Sequence, residues 1–124
     1  MLQKEVADRI VARNKKESIL SISVKIFGTP SIVMRVARGN FFPIPNVDSA
    51  VLKIENIKNP FASKKDEENF FTLVKRGFAH KRKKLSSNLE LSPTQTVAAA
   101  IPNNARAEDM NIEFWKNLAE KLQA

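Results

Sequence analysis

The sequence predicts an α/β unit followed by a small all-α unit, and three observations carry that expectation. Between Ser31 and Glu55, two runs rich in β-formers flank a loop that carries two prolines, the pattern of paired strands. After Ser63 the start signals are helical, at Ser63 itself and again at Ser92-Pro93-Thr94-Gln95. Between the two lies Asn56 to Ser63, a polar, proline-containing linker, so the expected division is 1–58 and 59–124. The 124 residues suffice for one compact domain or two small units.

Taken in order, residues 3–13 read as a helix, because Leu2, Val6 and Ile10 recur at four-residue spacing. Asn14-Lys15-Lys16 ends it in a polar loop. Residues 18–27 can be read either way. Ile19, Leu20, Ile22, Val24, Ile26 and Phe27 are β-rich by type, yet ten residues make a long strand, and Gly28-Thr29-Pro30 breaks the run. Ser31 to Ala37 reads as a strand, and Asp48 to Glu55 as a second, with Ala50, Leu52 and Ile54 alternating against Val51, Lys53 and Glu55. The loop from Gly39 to Val47 between them is stiffened by Pro43 and Pro45, which fix φ and remove backbone donors.

In the second unit, Ser63 is the expected N-cap of a helix whose Asp66-Glu67-Glu68 complements the dipole. Were residues 69–89 one helix, Phe70, Phe71, Val74, Phe78, Leu85 and Leu89 would share a face, with Arg82 about 40° from its centre. A charge there points to a break near Ala79 to Lys81, which would leave Lys81 to Lys84 projecting at a corner. Pro93 at a first helical position and Gln95 completing a capping box start another helix, which must stop before Pro102. Ile112, Trp115, Leu118, Ala119 and Leu122 give an amphipathic last helix, with Trp115 in the core.

Composition narrows the function. Lys and Arg number 21 against 13 Asp and Glu, a net charge of +8. The surplus is concentrated: Lys75, Arg76, Lys81, Arg82, Lys83 and Lys84 fall within ten residues that hold no acid. Such a patch attracts polyanions through phosphate contacts that release counterions, or serves as a solvated face that keeps the chain soluble. An anionic membrane is disfavoured, because no broad apolar face adjoins the patch. The absence of Cys excludes disulfides and thiol nucleophiles, and a single His excludes sites needing two imidazoles, so no metal is expected. No apolar run approaches a membrane span, and Met1-Leu2-Gln3-Lys4-Glu5 is charged too early for a secretory signal, so a cytoplasmic protein is expected.

Four stretches carry a family resemblance. Phe41-Phe42-Pro43-Ile44-Pro45-Asn46-Val47-Asp48-Ser49-Ala50-Val51 resembles the F-x-P-x-P-K-V-D-S-A-V motif of the KsgA-type ribosomal RNA adenine dimethyltransferases, with Asn46 in place of the usual Lys. Phe78-Ala79-His80-Lys81-Arg82-Lys83-Lys84-Leu85, running on to Asn88-Leu89, is similar to that family's basic helical motif. Arg106-Ala107-Glu108-Asp109 before an amphipathic helix is similar to its C-terminal end, and Met1 to Ala7 to a strand-to-helix segment in mid-domain.

The family's glycine-rich cofactor turn and its Asn-Leu-Pro-Tyr motif are not in this sequence. The resemblance therefore implies the C-terminal part of a Rossmann-like methyltransferase sheet followed by a helical rRNA-binding subdomain. It implies an enzyme that transfers methyl groups from S-adenosylmethionine to the exocyclic nitrogen of adenosines in small-subunit rRNA, on an assembling small ribosomal subunit. The chain alone would bind RNA but neither the cofactor nor a metal.

By match to the motif, Phe41 would stack on the extruded target adenine, with Pro43 and Pro45 holding the loop. Its other reading is a plug between sheet and helical unit. Phe42 is expected to pack inward, since neighbours in an extended loop face opposite ways. Asp48 and Ser49 read as a strand start, not as acid–base groups. Lys81, Arg82, Lys83 and Lys84 would contact the rRNA backbone, supported by Lys75 and Arg76. Arg106 would hold a phosphate or else Glu108 or Asp109; Arg9 and Arg13 would extend the basic surface or merely solubilise a helix face. His80 reads as a passive polar residue. Two rivals remain: a non-catalytic RNA- or ribosome-binding module, and a DNA-binding domain built on the helix pair around residues 64–91.

Overall fold

The computed structural model describes residues 1–12 and 15–123. Arg13 and Asn14, the second candidate for the basic surface and the first residue of the expected loop, lie outside them. The chain opens with a short strand, β1 (Leu2–Gln3), that runs directly into α1 (Lys4–Val11). Ala7 and Ile10 are buried on α1, and Ala12 closes the helix with a left-handed φ of 55°. Leu2 belongs to the strand instead of the helix, because it pairs with Ala50 and the Lys4 N–H donates to the Asp48 carbonyl at 2.9 Å.

The ambiguous segment is a helix, α2 (Ile19–Lys25). Its start is set by a reciprocal pair: the Ser21 N–H donates to Ser18 Oγ at 3.1 Å, and the Ser18 N–H donates to Ser21 Oγ at 2.7 Å. Ser21 and Ile22, neighbours in sequence, are both buried, as is Ile26 one turn on, a stripe that a strand with neighbouring side chains on opposite faces would not give. Gly28 turns the chain toward β2 (Thr29–Val36): a Cβ there would meet Ile54 Cγ2 at 2.6 Å and the Glu55 carbonyl at 3.0 Å.

β2 and β3 (Ser49–Glu55) pair antiparallel from Thr29 opposite Glu55 to Val36 opposite Ser49, with an irregularity at Val33. The sheet order is β1-β3-β2, with both pairings antiparallel. Arg35, opposite Ala50, reaches Asp8 of α1 at 3.3 Å, which places α1 against that face of the sheet.

The remainder is helical. α3 (Lys64–Gly77) is capped by Ser63, whose Oγ accepts from the Asp66 N–H at 3.2 Å. It ends at Gly77, and α4 (Leu85–Asn88) begins after an irregular turn over 78–84, so the basic run does sit at a corner. α5 (Pro93–Ala98) starts with the expected box between Ser92 and Gln95 and stops before Pro102. α6 (Ile112–Gln123) follows a tight turn at Ala107–Asp109.

The core joins α2 to these helices: Ile22 and Ile26 pack in one cluster with Phe70, Val74, Leu85, Leu89, Trp115 and Leu118. Phe27, Phe61, Phe70 and Phe71 interlock at its edge, Phe70 and Phe71 edge to face at 5.4 Å. No helix among the described residues is long and apolar enough to cross a membrane.

Candidate nucleic-acid interface

Two irregular segments carry Phe41, Pro43 and Pro45 on the one hand and Lys81 to Lys84 on the other. The first is the loop between β2 and β3. A tight turn at Arg38–Asn40 opens it, and Asp48 closes it, for Asp48 Oδ1 accepts from the Arg38 N–H at 2.8 Å. The Arg38 guanidinium also donates to the Asn46 carbonyl at 3.4 Å. Asp48 thus precedes the strand by one residue and clamps the loop at its base, a role an Asp at a loop end performs by bonding to nearby backbone.

Within the clamp, Phe41 is half-buried and stands outside the core cluster and the side chains packed on it. Pro43 is exposed and Pro45 half-buried. The expectation that Phe42 packs inward is corrected: its ring is 100% exposed, with Ile44 at 63% beside it in sequence. Alternation of faces belongs to an extended run, and residues 41–43 are bends.

The second segment is the turn over 78–84. Lys81, Arg82, Lys83 and Lys84 are all exposed, as are Lys75 and Arg76 on the last turn of α3, and none of the six has an ion-pair partner among the described residues. Their geometry is fixed from beneath. A Cβ on Gly77 would meet Trp115 Cη2 at 2.5 Å and Leu85 Cδ1 at 2.9 Å, so only glycine lets the indole seat against the helix end. Phe78 stacks on Trp115 at 5.6 Å.

The Asn88 amide donates to the Gly77 carbonyl at 2.8 Å, an acceptor the helix end leaves free, and to the His80 carbonyl at 3.1 Å, which also accepts from the Lys83 N–H at 3.0 Å. Arg76 donates to the Leu89 carbonyl at 3.2 Å, so part of its guanidinium serves the fold. Gly77 and Asn88 were not singled out from the sequence for these roles. The signal available was their position, at the foot and on the far side of a basic corner.

Arg106 is exposed, and its backbone N–H, not its side chain, donates to Asp109 at 3.3 Å. Asp109 also pairs with Lys16: their hydrogen bond, reinforced by charge, lowers the Asp109 carboxyl and raises the Lys16 amine from their ordinary pKa values. Arg9 is exposed on α1, and His80 is exposed in the turn. Among the described residues no cluster of His, Cys, Asp or Glu could hold a metal ion.

Aromatic loop and cationic turn together suit a nucleic acid, and comparison with known proteins is specific. Residues 1–124 match the family described as ribosomal RNA adenine dimethylase. The chain belongs to that family. Its curated relatives include proteins named ribosomal RNA small subunit methyltransferase A. That of Streptococcus thermophilus is 38% identical over 99% of this chain and 47% of its own length, and that of Dehalococcoides mccartyi 38% identical over 95% and 43%.

The chain therefore spans about half the length of the curated relatives it matches. Two solved structures share the fold: a 23S rRNA methyltransferase, ErmE (TM-score 0.74, 22% identity, 98% of this chain and 52% of that one), and a dimethyladenosine transferase from Plasmodium falciparum (TM-score 0.77, 21% identity, 98% and 55%). The small antiparallel sheet with its six described helices is thus part of an rRNA methyltransferase fold. The resemblance carried by Phe41–Val51 and Phe78–Leu89 is that of the dimethylase family.

Proposed function

We propose that this chain is the C-terminal portion of a small-subunit rRNA adenine N6,N6-dimethyltransferase, supplying the loop that holds the target adenine and a surface that docks on rRNA. The observation that carries the reading is the pairing, in one chain of this family, of a clamped aromatic loop with a turn of unpaired cations. Residues 1–58 form the last part of a Rossmann-like domain, and 59–124 a helical rRNA-binding subdomain. The antiparallel β1-β3-β2 order suits the edge of a doubly wound sheet, where an antiparallel strand is common.

In the whole enzyme S-adenosylmethionine supplies the methyl group. The residues present do not build a cradle for it. Gly28 and Gly77 are packed against side chains, Gly39 stands in open space in the loop, and none has a positive φ. We assign cofactor binding to the portion of the relatives this chain does not span.

What this chain contributes is positioning. An exocyclic nitrogen reacts only when its lone pair is aimed, so holding an extruded base is the larger part of catalysis. Phe41 stacks on that base, Pro43 and Pro45 and the Asp48 clamp keep the loop from yielding, and Lys81 to Lys84, with Lys75, Arg76 and Arg106, contact phosphates. The setting is the cytoplasm, on an assembling small ribosomal subunit.

The test is a titration of the chain against unmethylated small ribosomal subunits with excess unrelated duplex RNA and varied salt. Binding that survives the competitor and weakens with salt is expected; loss of all binding to the competitor would overturn the docking role. Adding the other half of a relative should restore methyl transfer. Binding without any restored transfer would mark a non-catalytic RNA-binding module instead.

A further inference from the structure

We propose that the groove between the α1–α2 segment and the basic turn seats one unpaired RNA nucleotide, its base inside and its phosphates on the rim. This rests on the RNA-binding reading above but names a second contact, since no residue of the loop over 38–48 lines the groove. The groove encloses about 720 Å³, within the range of small-molecule sites.

Its floor is apolar. Ile19 and Leu20 come from the start of α2 and Phe78 from the turn, the last held flat on Trp115. Arg9, Lys81 and Lys83 line it as well, and none of these cations has an ion-pair partner among the described residues.

The carboxylates decide which part of an RNA goes inside. Glu17 lines the groove but is already taken, accepting from Lys25 at 2.8 and 2.9 Å and from Ser21 Oγ at 2.8 Å. Glu108 remains, half-buried in the wall. A phosphate placed beside Glu108 over an apolar floor would be repelled and poorly solvated, whereas a neutral base gains from both. Its face covers the floor, and an exocyclic amino group can donate to the Glu108 carboxylate. The paired bases of a duplex cannot enter without being extruded.

The walls are fixed in advance. The Glu17 N–H donates to the Glu108 carbonyl at 2.8 Å, Lys16 is bonded to Asp109, and Asn88 holds the Gly77 and His80 carbonyls.

The experiment measures binding of the full chain to an RNA hairpin with unpaired loop adenosines and to a blunt duplex of equal length, over a salt series. Ser23→Trp fills the groove from a half-buried helix position without changing charge, and Ile19→Asp charges the floor without adding bulk. Ser23→Trp is expected to weaken hairpin binding about tenfold while leaving duplex binding and its salt slope unchanged, and Ile19→Asp to weaken hairpin binding more than duplex binding. Adenosine 5′-monophosphate should shift the methyl resonances of Ile19 and Leu20 in the wild type and not in Ser23→Trp.

Hairpin binding by folded Ser23→Trp and Ile19→Asp equal to wild type would overturn the groove while leaving the RNA-binding reading intact. Failure of the wild type to bind either RNA would overturn both.

Discussion

The loop over 38–48 and the turn over 78–84 are both exposed and irregular, yet they are held in opposite ways. The loop is pinned at its base by one acceptor, Asp48, and carries its apolar groups outward, Phe42 fully and Ile44 largely in water. The turn is pinned from inside, by an indole against Gly77 and an amide beneath two carbonyls, and carries its cations outward. Rings displayed on a stiff loop suit bases, and charges displayed on a packed corner suit phosphates. The difference teaches that the two halves of an RNA contact, stacking and charge, need different supports: a clamp across the loop ends for the first, and the hydrophobic core for the second.

The most forceful way to break the contrast is to remove the turn's inner support. Trp115→Ala should cost about 3–5 kcal/mol in a urea titration, and proteolysis should cut within 78–84 before it cuts the loop. Earlier cutting within 38–48 would mean the loop is the weaker structure. Next, Asn88→Ala should cost about 1–3 kcal/mol and raise amide exchange across the turn, because the Gly77 carbonyl loses its side-chain donor and the His80 carbonyl keeps only the Lys83 N–H; equal exchange in mutant and wild type would remove Asn88 from the account.

Replacing Lys81, Arg82, Lys83 and Lys84 by Ala should leave stability within about 0.5 kcal/mol, since all four are exposed. The log–log salt slope of RNA binding should fall by about 0.7 for each single-strand phosphate that is no longer neutralised, and an unchanged slope would show that phosphates are met elsewhere. In the loop, Phe42→Ala should leave the melting temperature unmoved, whereas Phe41→Ala should lower it measurably, and both should weaken hairpin binding more than duplex binding. A Phe42→Ala protein that melts well below wild type would return that ring to the interior.

The smallest effect concerns the pair that ties Lys16 to the turn before α6. The Asp109 carboxyl is lowered, so its contribution is complete above its ordinary pKa and is lost as pH falls through the depressed value. The Lys16 amine is raised, so its contribution is complete below its ordinary value and is lost as pH rises through the elevated one. Both groups are solvent-exposed, and screening keeps the gain slight. Melting curves of wild type and Asp109→Asn should differ between those limits and converge at both; a constant difference down to the most acid pH would show the carboxylate charge to be irrelevant.

What was legible beforehand follows a simple division. The helix starts at Ser63 and Ser92, the break between α3 and α4, and the two strands around the proline loop could be read from spacing and residue type. The six cations could be read as one patch because they lie within ten residues. α2 could not be settled, because Ile19, Ile22, Val24 and Ile26 favour a strand by type, and burial of the neighbours Ser21 and Ile22 together with Ile26 against distant helices was needed to favour a helix. Nor could the direction of Phe42 be read, since alternation fails across bends, nor the uses of Gly77, Asn88 and Glu108, whose partners lie on other elements.

The sequence by itself determined the local starts and stops, the charge and the family, because capping bonds close within three or four residues and motif residues stand in order along the chain. Tertiary structure alone decided that β1 joins the sheet beside β3, that Trp115 presses on Gly77, and that the α1–α2 segment faces the basic turn across a groove. Those contacts join residues far apart in the chain, and their formation depends on burying the helical core, which no local pattern specifies.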